Sequence, residues 1–171
     1  RFLSLLILSQ FLLIPLAQAA NFGDIEENAY ANTIQYLQDK GVIEGYGGQN
    51  FVPNRAVTRA EFLKMMLANY DIDPTTIEAR SYPYTDVPKD SWFAPYVQKA
   101  YEINLIPNKS EFKPHQEITR VEGVKTILNL MGIPVPRLMH EENWTLDYKD
   151  VRFDAWYAPT VFYGETYDLI E

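Results

Sequence analysis

Two arginines occupy the same position of two similar four-residue motifs, and a guanidinium group is well suited to hold a carboxylate or a phosphate through paired hydrogen bonds. Thr-x-x-Glu is the sequence of a capping box, so each motif predicts the start of a helix with its threonine and glutamate as caps. The motifs are Thr58-Arg59-Ala60-Glu61 and, 61 residues later, Thr119-Arg120-Val121-Glu122.

Both arginines are expected at the first helical position, where the helix dipole disfavours a cation by about 0.3 to 1 kcal/mol. A position that recurs despite this cost indicates a role for Arg59 and Arg120. One interpretation is an anion site, formed by each guanidinium and the free amides of the helix start. The other is structural pairing with Asp24, Asp86 or Asp150, and the residues alone leave both open.

The motifs belong to an internal repeat, because other short sequences recur around them. An aromatic-x-Asp sequence occurs three times, a large aromatic residue follows it each time, and a Phe-x-Pro sequence lies shortly before each of the two four-residue motifs. These are Phe22-x-Asp24, Tyr84-x-Asp86 and Tyr148-x-Asp150; Tyr30, Trp92 and Trp156; and Phe51-x-Pro53 and Phe112-x-Pro114.

Hydrophobic periodicity predicts a helix, a loop and a second helix in each repeat, with strand limited to short pieces around Phe51 and Phe112. The first helix of repeat one is expected over about residues 28 to 40, ended by a left-handed Gly41. Its inward residues would be Tyr30, Ile34 and Leu37, and those of the second helices Phe62, Leu63, Met66, Leu67 and Tyr70, then Val124, Ile127, Leu128 and Met131.

These residues resemble the S-layer homology family, whose units run from aromatic-x-Asp through a helix and a Phe-x-Pro loop to a Thr-Arg-Ala-Glu helix start. The resemblance implies an all-α fold of tandem helix-loop-helix units around a pseudo-threefold core. We expect unit one at 20–79, unit two at 80–143 and a truncated unit three at 144–171. Because unit three lacks its second helix, we expect Val161 and Leu169 to be uncovered.

The resemblance also implies a function. Similar proteins attach to the cell wall by binding an acidic secondary polysaccharide, often with pyruvyl ketals, in grooves between units. In these proteins the arginine of the Thr-Arg-Ala-Glu motif, the tetrad, meets the acid group. Carried onto this chain, the candidate ligand-binding residues are Arg59 and Arg120, with Asp24, Asp86, Asp150, Gly45 and Gly47 close to the groove.

Two sets of candidate residues allow a structural interpretation as well. Gly45 and Gly47 give the chain conformations that bring amides close to a sugar, or they form only a tight turn. Trp92 and Trp156 are candidates for stacking on a sugar, whereas a recurring aromatic residue of a packed helix more often belongs to the core.

Residues 1–19 are interpreted as a secretory signal peptide, because a short apolar run ends in Ala17-Gln18-Ala19, a small-x-small cleavage pattern. We expect no membrane insertion of the remainder, and a secreted location at the cell wall. The net charge of −8 argues against nucleic acid as a partner. The chain has no cysteine, and His115 and His140 lack partners at metal-ligand spacing, so neither a metal nor a cofactor is expected.

No catalytic motif is found, so an enzyme within these residues is not expected. The preferred function is non-covalent anchoring through a cell-wall polysaccharide, with self-association in a surface layer as a further candidate interaction. One alternative is the tether of a downstream polysaccharide hydrolase. Another is the periplasmic peptidoglycan-binding region of an outer-membrane porin.

Overall fold

A computed structural model describes residues 21–76, 83–137 and 148–170. These residues form helices joined by turns and two isolated β-bridges, Tyr46 with Asn50 and Thr58 with Glu117, and no longer strand occurs among them. The all-α prediction is confirmed. The helices are α1 (Ala31–Asp39), α2 (Arg59–Asn69), α3 (Ala94–Glu102), α4 (Arg120–Leu130) and α5 (Ala158–Thr166).

Both predicted capping boxes are present. The Glu61 amide donates to the Thr58 hydroxyl at 3.3 Å, and the Glu61 carboxylate accepts from the Thr58 amide at 2.9 Å. Thr119 and Glu122 make the same pair of contacts at the start of α4. Each box satisfies amides that a helix start leaves without intrahelical partners, and therefore fixes where the second helix of its repeat begins.

The first helices end as the sequence predicts, in a residue with left-handed backbone. Gly41 follows α1 with φ 69°, and Asn104 and Asp168 take the same place after α3 and α5 with φ 58° and 55°. Asparagine and aspartate tolerate this conformation better than other residues with a side chain. The first helix thus ends in the same way at three places among the described residues, although α1 begins three residues later than expected.

Some predicted inward positions are wrong. Tyr30 is 71% exposed and occupies the N-cap of α1, the position that Phe93 and Tyr157 take in the other repeats. Trp92 and Trp156 therefore lie one residue before the equivalent of Tyr30. On the second helices, Leu63, Leu67, Val124 and Leu128 are buried, but Tyr70 and Met131 are exposed because they are the C-caps, where the chain leaves the helix.

The larger part of the core is built between repeats, and a smaller cluster lies within the first repeat. α2 packs on α3, and α4 packs on α5, so the second helix of one repeat covers the first helix of the next. The larger buried cluster joins Ala60, Leu63 and Leu67 of α2 to residues of the second repeat. For the same reason the expectation of an uncovered α5 is wrong in part: Val161 is buried, and Leu169 is half-buried.

The aspartate of the first two aromatic-x-Asp sequences holds the Phe-x-Pro loop of its own repeat. Asp24 accepts hydrogen bonds from the amides of Phe51 and Val52 at 2.8 and 2.7 Å. Asp86 accepts from the amides of Phe112 and Lys113 at 2.9 and 2.6 Å. These contacts orient both phenylalanine rings onto the core, where Phe51 meets Phe22 and Phe112 meets Tyr84.

The expected unit boundaries, the incomplete third unit and the pseudo-threefold arrangement stay predictions. The expected signal peptide at residues 1–19 and His140 lie outside the described residues.

Replacement of Val52 by glycine should stabilise the chain by about 0.5 to 1 kcal/mol. Val52 has φ 59°, and a left-handed backbone costs a residue with a side chain about 1 to 2 kcal/mol, more than glycine loses through its freer unfolded chain. Lys113→Gly is the matched control, because Lys113 has φ 62° at the same place but is not branched at Cβ. Urea unfolding should show a larger gain in unfolding free energy for Val52→Gly than for Lys113→Gly. A loss of stability in both variants would show that the left-handed backbone is not strained at these positions.

Candidate functional site

The Arg59 side chain lies where the start of α2 meets the Phe-x-Pro loop of the second repeat. Its Nε donates to the Phe112 carbonyl at 2.9 Å, and its guanidinium carbon stands 5.1 Å from the centre of the Phe112 ring. Its Nη1 is 3.6 Å from the carboxylate of Glu122. Three contacts from the second repeat thus orient one guanidinium of the first.

The expectation of free amides beside Arg59 is wrong. The Arg59 amide donates to the Gln116 carbonyl at 2.8 Å, and the Ala60 amide donates to the Pro114 carbonyl at 3.1 Å. The next amide, of Glu61, is used by the capping box. The loop of the second repeat occupies the helix start, so the amides of α2 do not form an anion site.

The expected pairing of Arg59 with a repeat aspartate is also not what the structure shows. The carboxylates of Asp24 and Asp86 accept hydrogen bonds from loop amides, and the acidic neighbour of Arg59 is Glu122 of the second capping box. The pairing across the repeat boundary is therefore real, but its acidic partner is a different residue. A ligand role for Asp24 and Asp86 stays a prediction.

A groove of about 400 Å³ opens beside Arg59. Burial raises the pKa of Tyr84 to about 12, so its hydroxyl stays protonated and donates to the Pro107 carbonyl at 2.6 Å. The groove is lined mainly by polar and charged side chains: Arg59, Tyr84, Lys109, Ser110, Glu111, Lys113, Gln116 and Glu122, together with Pro107 and Phe112.

Arg120 lies in a second groove, of about 290 Å³, between α4 and the third repeat. Asp150 lines the same groove, so the structure brings these two predicted site residues together. Among the described residues, none makes a hydrogen bond or an ion pair with either side chain. The other lining residues are mainly apolar: Val121, Val124, Tyr148, Val151, Tyr157, Val161 and Ile170.

A third groove, of about 380 Å³, contains the predicted residues Gly45, Glu61 and Trp92 together with two residues that the sequence reasoning missed. Arg55 donates to the Tyr46 hydroxyl, covers the Tyr46 ring at 4.2 Å and pairs with Glu61 at 2.9 Å. Repeat two has Gln116 in place of Arg55, so a comparison of the two repeats did not single out Arg55 as a candidate site residue.

Arg55 also changes the electrostatics of the first capping box. Burial raises the pKa of the Glu61 carboxyl, but hydrogen bonds from Thr58 and Arg55 outweigh burial and hold this pKa below its usual range. The pKa of Glu122 is lowered too, with burial opposing, by the hydrogen bonds from Thr119 and by the charge of Arg59. Each capping glutamate thus has an arginine neighbour, from its own repeat in one case and from the preceding repeat in the other.

The turn that contains Gly45 and Gly47 has no room for a side chain at Gly45 but leaves free space at Gly47. Gly45 has φ 70°, and a Cβ there would lie 2.3 Å from the Phe22 ring and 2.6 Å from the Asn50 carbonyl. Gly47 has φ 63°, but a Cβ would meet no heavy atom within 4 Å. The turn therefore requires glycine at Gly45, and the ligand roles expected for Gly45 and Gly47 stay predictions.

The recurring tryptophans are not core residues. Trp92 is 52% exposed and Trp156 is 60% exposed, so the core interpretation is wrong for both. They precede the N-caps of α3 and α5, where the chain has not yet turned inward. Lys125 of α4 lies over the Trp156 ring with its Nζ 5.5 Å from the centroid, so a cation covers part of this exposed face.

Replacement of Arg59 by lysine should cost about 1 kcal/mol of unfolding free energy, because it loses the charge-assisted bond to the Phe112 carbonyl and the planar contact with the ring. Arg120→Lys is the matched control at the same position of α4, and we expect it to change stability little. Urea unfolding of the two variants checks this, and equal losses would contradict a structural role specific to Arg59.

Acidification should destabilise the loop that Asp24 holds. Hydrogen bonds from the amides of Phe51 and Val52 hold the pKa of Asp24 below its usual value of 3.8, with burial opposing. A depressed folded-state pKa gives stability that is present above the unfolded value and lost as pH falls through the folded value. The Asp24→Asn variant should therefore be less stable than the unsubstituted chain at neutral pH, and its stability should fall less when the pH drops below 3.8. Asp90→Asn, an exposed control, should keep the acid sensitivity of the unsubstituted chain in urea titrations.

Comparison with known proteins agrees with the repeat architecture. The model of the S-layer homology domain matches residues 21–63 and 83–122, one match for each repeat that contains a complete tetrad. Both matches include the aromatic-x-Asp sequence, the first helix and the Phe-x-Pro loop.

Several relatives share this region. The chain is 32% identical over 108 residues to the surface layer protein of Brevibacillus choshinensis, which covers 61% of this chain and 10% of that protein. It is 30% identical over 122 residues to the surface-layer 125 kDa protein of Lysinibacillus sphaericus, and this match covers 68% of this chain and 10% of that protein. It is 31% identical over 108 residues to exoglucanase XynX of Acetivibrio thermocellus, covering 63% and 10%.

The chain thus spans about a tenth of the length of these relatives. Within residues 21–76, 83–137 and 148–170, no helix is long and apolar enough to cross a membrane. The matches coincide with the repeats defined by the capping boxes and the left-handed helix ends, and the chain therefore belongs to the S-layer homology family, whose domain it carries in tandem repeats.

Proposed function

We propose that this chain anchors an exported protein non-covalently to the bacterial cell envelope by binding an acidic secondary cell-wall polysaccharide, with pyruvyl ketals as candidate acid groups. The S-layer homology domain is an anchoring module and not a catalytic one. Its presence here, with relatives named as surface layer proteins and a middle cell wall protein, supports a secreted, wall-associated location.

The observation that carries the proposal is the groove beside Arg59. Its guanidinium is held by the Phe112 carbonyl and ring, so it is already oriented before a ligand arrives. Lys109 and Lys113 line the same groove, against the carboxylates of Glu111 and Glu122. This makes the groove cationic by one charge in a chain whose net charge is −8, which favours an anionic ligand at this place.

The exposed tryptophans support a carbohydrate rather than a small inorganic anion. A sugar ring presents C–H groups that pack well on an aromatic face, and Trp92 and Trp156 are exposed enough to offer one. Lys125 beside Trp156 adds a cation near the stacking surface. The proposed ligand-binding set thus combines cationic side chains for the acid group with aromatic side chains for the ring at separate places, since Trp92 lines the third groove and Trp156 lies beside Lys125.

The full proposed arrangement contains three units around a pseudo-threefold core, of which the third is incomplete at 144–171, after a signal peptide at 1–19. Gly47 and the aspartates Asp24, Asp86 and Asp150 belong to the proposed groove walls. Self-association in a surface layer is a further part of the proposal, because two relatives are named as surface-layer proteins.

A second candidate is the tether of a polysaccharide hydrolase. Relatives that match this chain include proteins named exoglucanase, amylopullulanase and endo-1,4-beta-xylanase. The chain covers 5% of the amylopullulanase and 10% of the exoglucanase, so the match lies in a small part of each. In this case the chain would perform the same anchoring for a catalytic domain elsewhere in the protein.

Replacement of Arg59 or Arg120 by lysine should weaken binding to isolated wall polymer by about ten- to a hundredfold, the effect of one lost charge-assisted hydrogen bond of about 1.5 to 3 kcal/mol. The measurement is calorimetry on folded protein, with polymer before and after chemical removal of its acidic substituents. Arg152→Lys is the matched control, because Arg152 is exposed and pairs only with the nearby Asp154 among the described residues.

We expect removal of the acidic groups to reduce the affinity of the unsubstituted chain as strongly as the arginine substitutions do. If neither the substitutions nor the chemical treatment changes the affinity, the arginines are not the acid-binding residues. Trp92→Ala tests the stacking surface in the same assay, with the exposed Tyr36→Ala as its control.

A further inference from the structure

We propose that Glu122 makes the groove beside Arg59 select a singly charged carboxylate over a doubly charged phosphate group. Glu122 is thus a specificity-determining residue of this groove, in addition to its role in the cap of α4. Such selection rests on the proposed function of the groove as a site for an acid group, and it states which class of acid group the groove takes.

The two carboxylate oxygens of Glu122 have different surroundings. Oε2 accepts hydrogen bonds from the amide and the hydroxyl of Thr119, both at 2.9 Å. Oε1 lies 3.6 Å from Nη1 of Arg59, which is too long for a hydrogen bond. Because the contacts of Oε2 fix the carboxylate at the start of α4, its charge stays at the edge of the groove when a ligand takes the place of Oε1 on the guanidinium.

The first capping box has a cation where the second has none. Oε1 of Glu61 accepts from Nη1 of Arg55 at 2.9 Å and from the Tyr46 hydroxyl at 3.2 Å. Repeat two has Gln116 at the position of Arg55, and no residue within 21–76, 83–137 and 148–170 donates a hydrogen bond to Oε1 of Glu122. Glu122 therefore presents to its groove a negative charge that Arg55 neutralises in Glu61.

This charge decides how much negative charge the groove accepts. The lining cations are Arg59, Lys109 and Lys113, and the lining carboxylates are Glu111 and Glu122, so one positive charge is in excess. Burial raises the pKa of Glu122, but the hydrogen bonds from Thr119 and the charge of Arg59 outweigh burial and hold this pKa below its usual range. Glu122 is therefore ionised at neutral pH. One carboxylate balances the excess charge, whereas a phosphate dianion exceeds it and is repelled by Glu122.

The geometry of Arg59 accepts both classes of acid. Its Nε donates to the Phe112 carbonyl at 2.9 Å, and among the described residues neither of its terminal nitrogens makes a hydrogen bond. Carboxylate and phosphate oxygens can both receive a pair of bonds from these nitrogens. The Arg59 and Glu122 side chains are 23% and 30% exposed, so a ligand can reach them while water screens their charges only in part. The charge of Glu122, and not the hydrogen-bond geometry, therefore separates the two classes.

A matched pair of sugars tests the selection on the whole chain. Glucuronate carries one carboxylate, and the phosphate of glucose 6-phosphate is mostly doubly charged at about pH 7, because its second pKa is about 6. NMR titration follows the Nε–Hε resonance of Arg59, which is identified by its loss in Arg59→Lys. We expect the unsubstituted chain to bind glucuronate at least as tightly as glucose 6-phosphate. Glu122→Gln should shift the ratio of the two affinities toward the phosphate by about tenfold, since the second negative charge no longer meets a carboxylate.

The variants separate this role of Glu122 from capping and from net charge. Glutamine at the same position of the helix can still close a capping box, so the start of α4 is kept in Glu122→Gln. Glu111→Gln is the matched control, because it removes the same charge from an exposed residue of the same groove. Among the described residues, Arg59 forms an ion pair with Glu122 and not with Glu111. We expect Glu111→Gln to shift the ratio by less than about threefold, because salt screens an exposed charge.

Each outcome decides the proposal. An unchanged ratio in Glu122→Gln overturns it, and so do an equal shift in Glu111→Gln, a preference of the unsubstituted chain for the phosphate, and the absence of binding by both sugars. Calorimetry with wall polymer tests the proposed function separately. Polymer binding with an unchanged ratio of the two sugars removes only the role of Glu122, whereas a shifted ratio without polymer binding removes only the anchoring function.

Discussion

The contact on which the rest of the structure depends is the docking of the second-repeat loop on the start of α2. Backbone hydrogen bonds join Arg59 to Gln116 at 2.8 Å, Ala60 to Pro114 at 3.1 Å and Ile118 to Val57 at 2.9 Å. They satisfy helix-start amides that would otherwise need water. The same contact places Phe112 in the core, brings the Arg59 guanidinium against it and forms the wall of the polar groove.

Structure and site therefore share residues at this boundary. Glu122 caps α4 through Thr119 and is also the acidic neighbour of Arg59, at 3.6 Å. Such a distance is long for an ion pair, and the pair is partly exposed, so its contribution to stability is small. In the proposed binding, an acidic ligand would replace Glu122 beside the guanidinium, while the contacts of Glu122 with Thr119 would still cap α4.

The sequence predicted what is local. Capping boxes and left-handed helix ends depend on a few neighbouring residues, and the structure has them where they were expected. Contacts between repeats were not predictable in the same way. The loop carbonyls that occupy the start of α2 are backbone atoms, which leave no trace in residue identity.

The errors at the candidate site have the same origin. Asp24 and Asp86 were candidates for pairing with arginine, but two amides about 27 residues further along the chain bind each of them. Arg55 was missed because the repeats differ there. The core interpretation of Trp92 and Trp156 failed because the helices begin two residues after them.

The packing of α2 on α3 and of α4 on α5 has one more consequence, for evolution and for engineering: the pairs of packed helices are out of phase with the repeat that the sequence displays. A cut through the segment between α2 and α3 separates partners, whereas a cut between α1 and α2, or between α3 and α4, keeps each packed pair together. Recombination at the boundary between the first two sequence units therefore divides the larger buried cluster, whereas a cut between α1 and α2 keeps that cluster together and divides the smaller one, which Met65 and Ala68 of α2 help to cover.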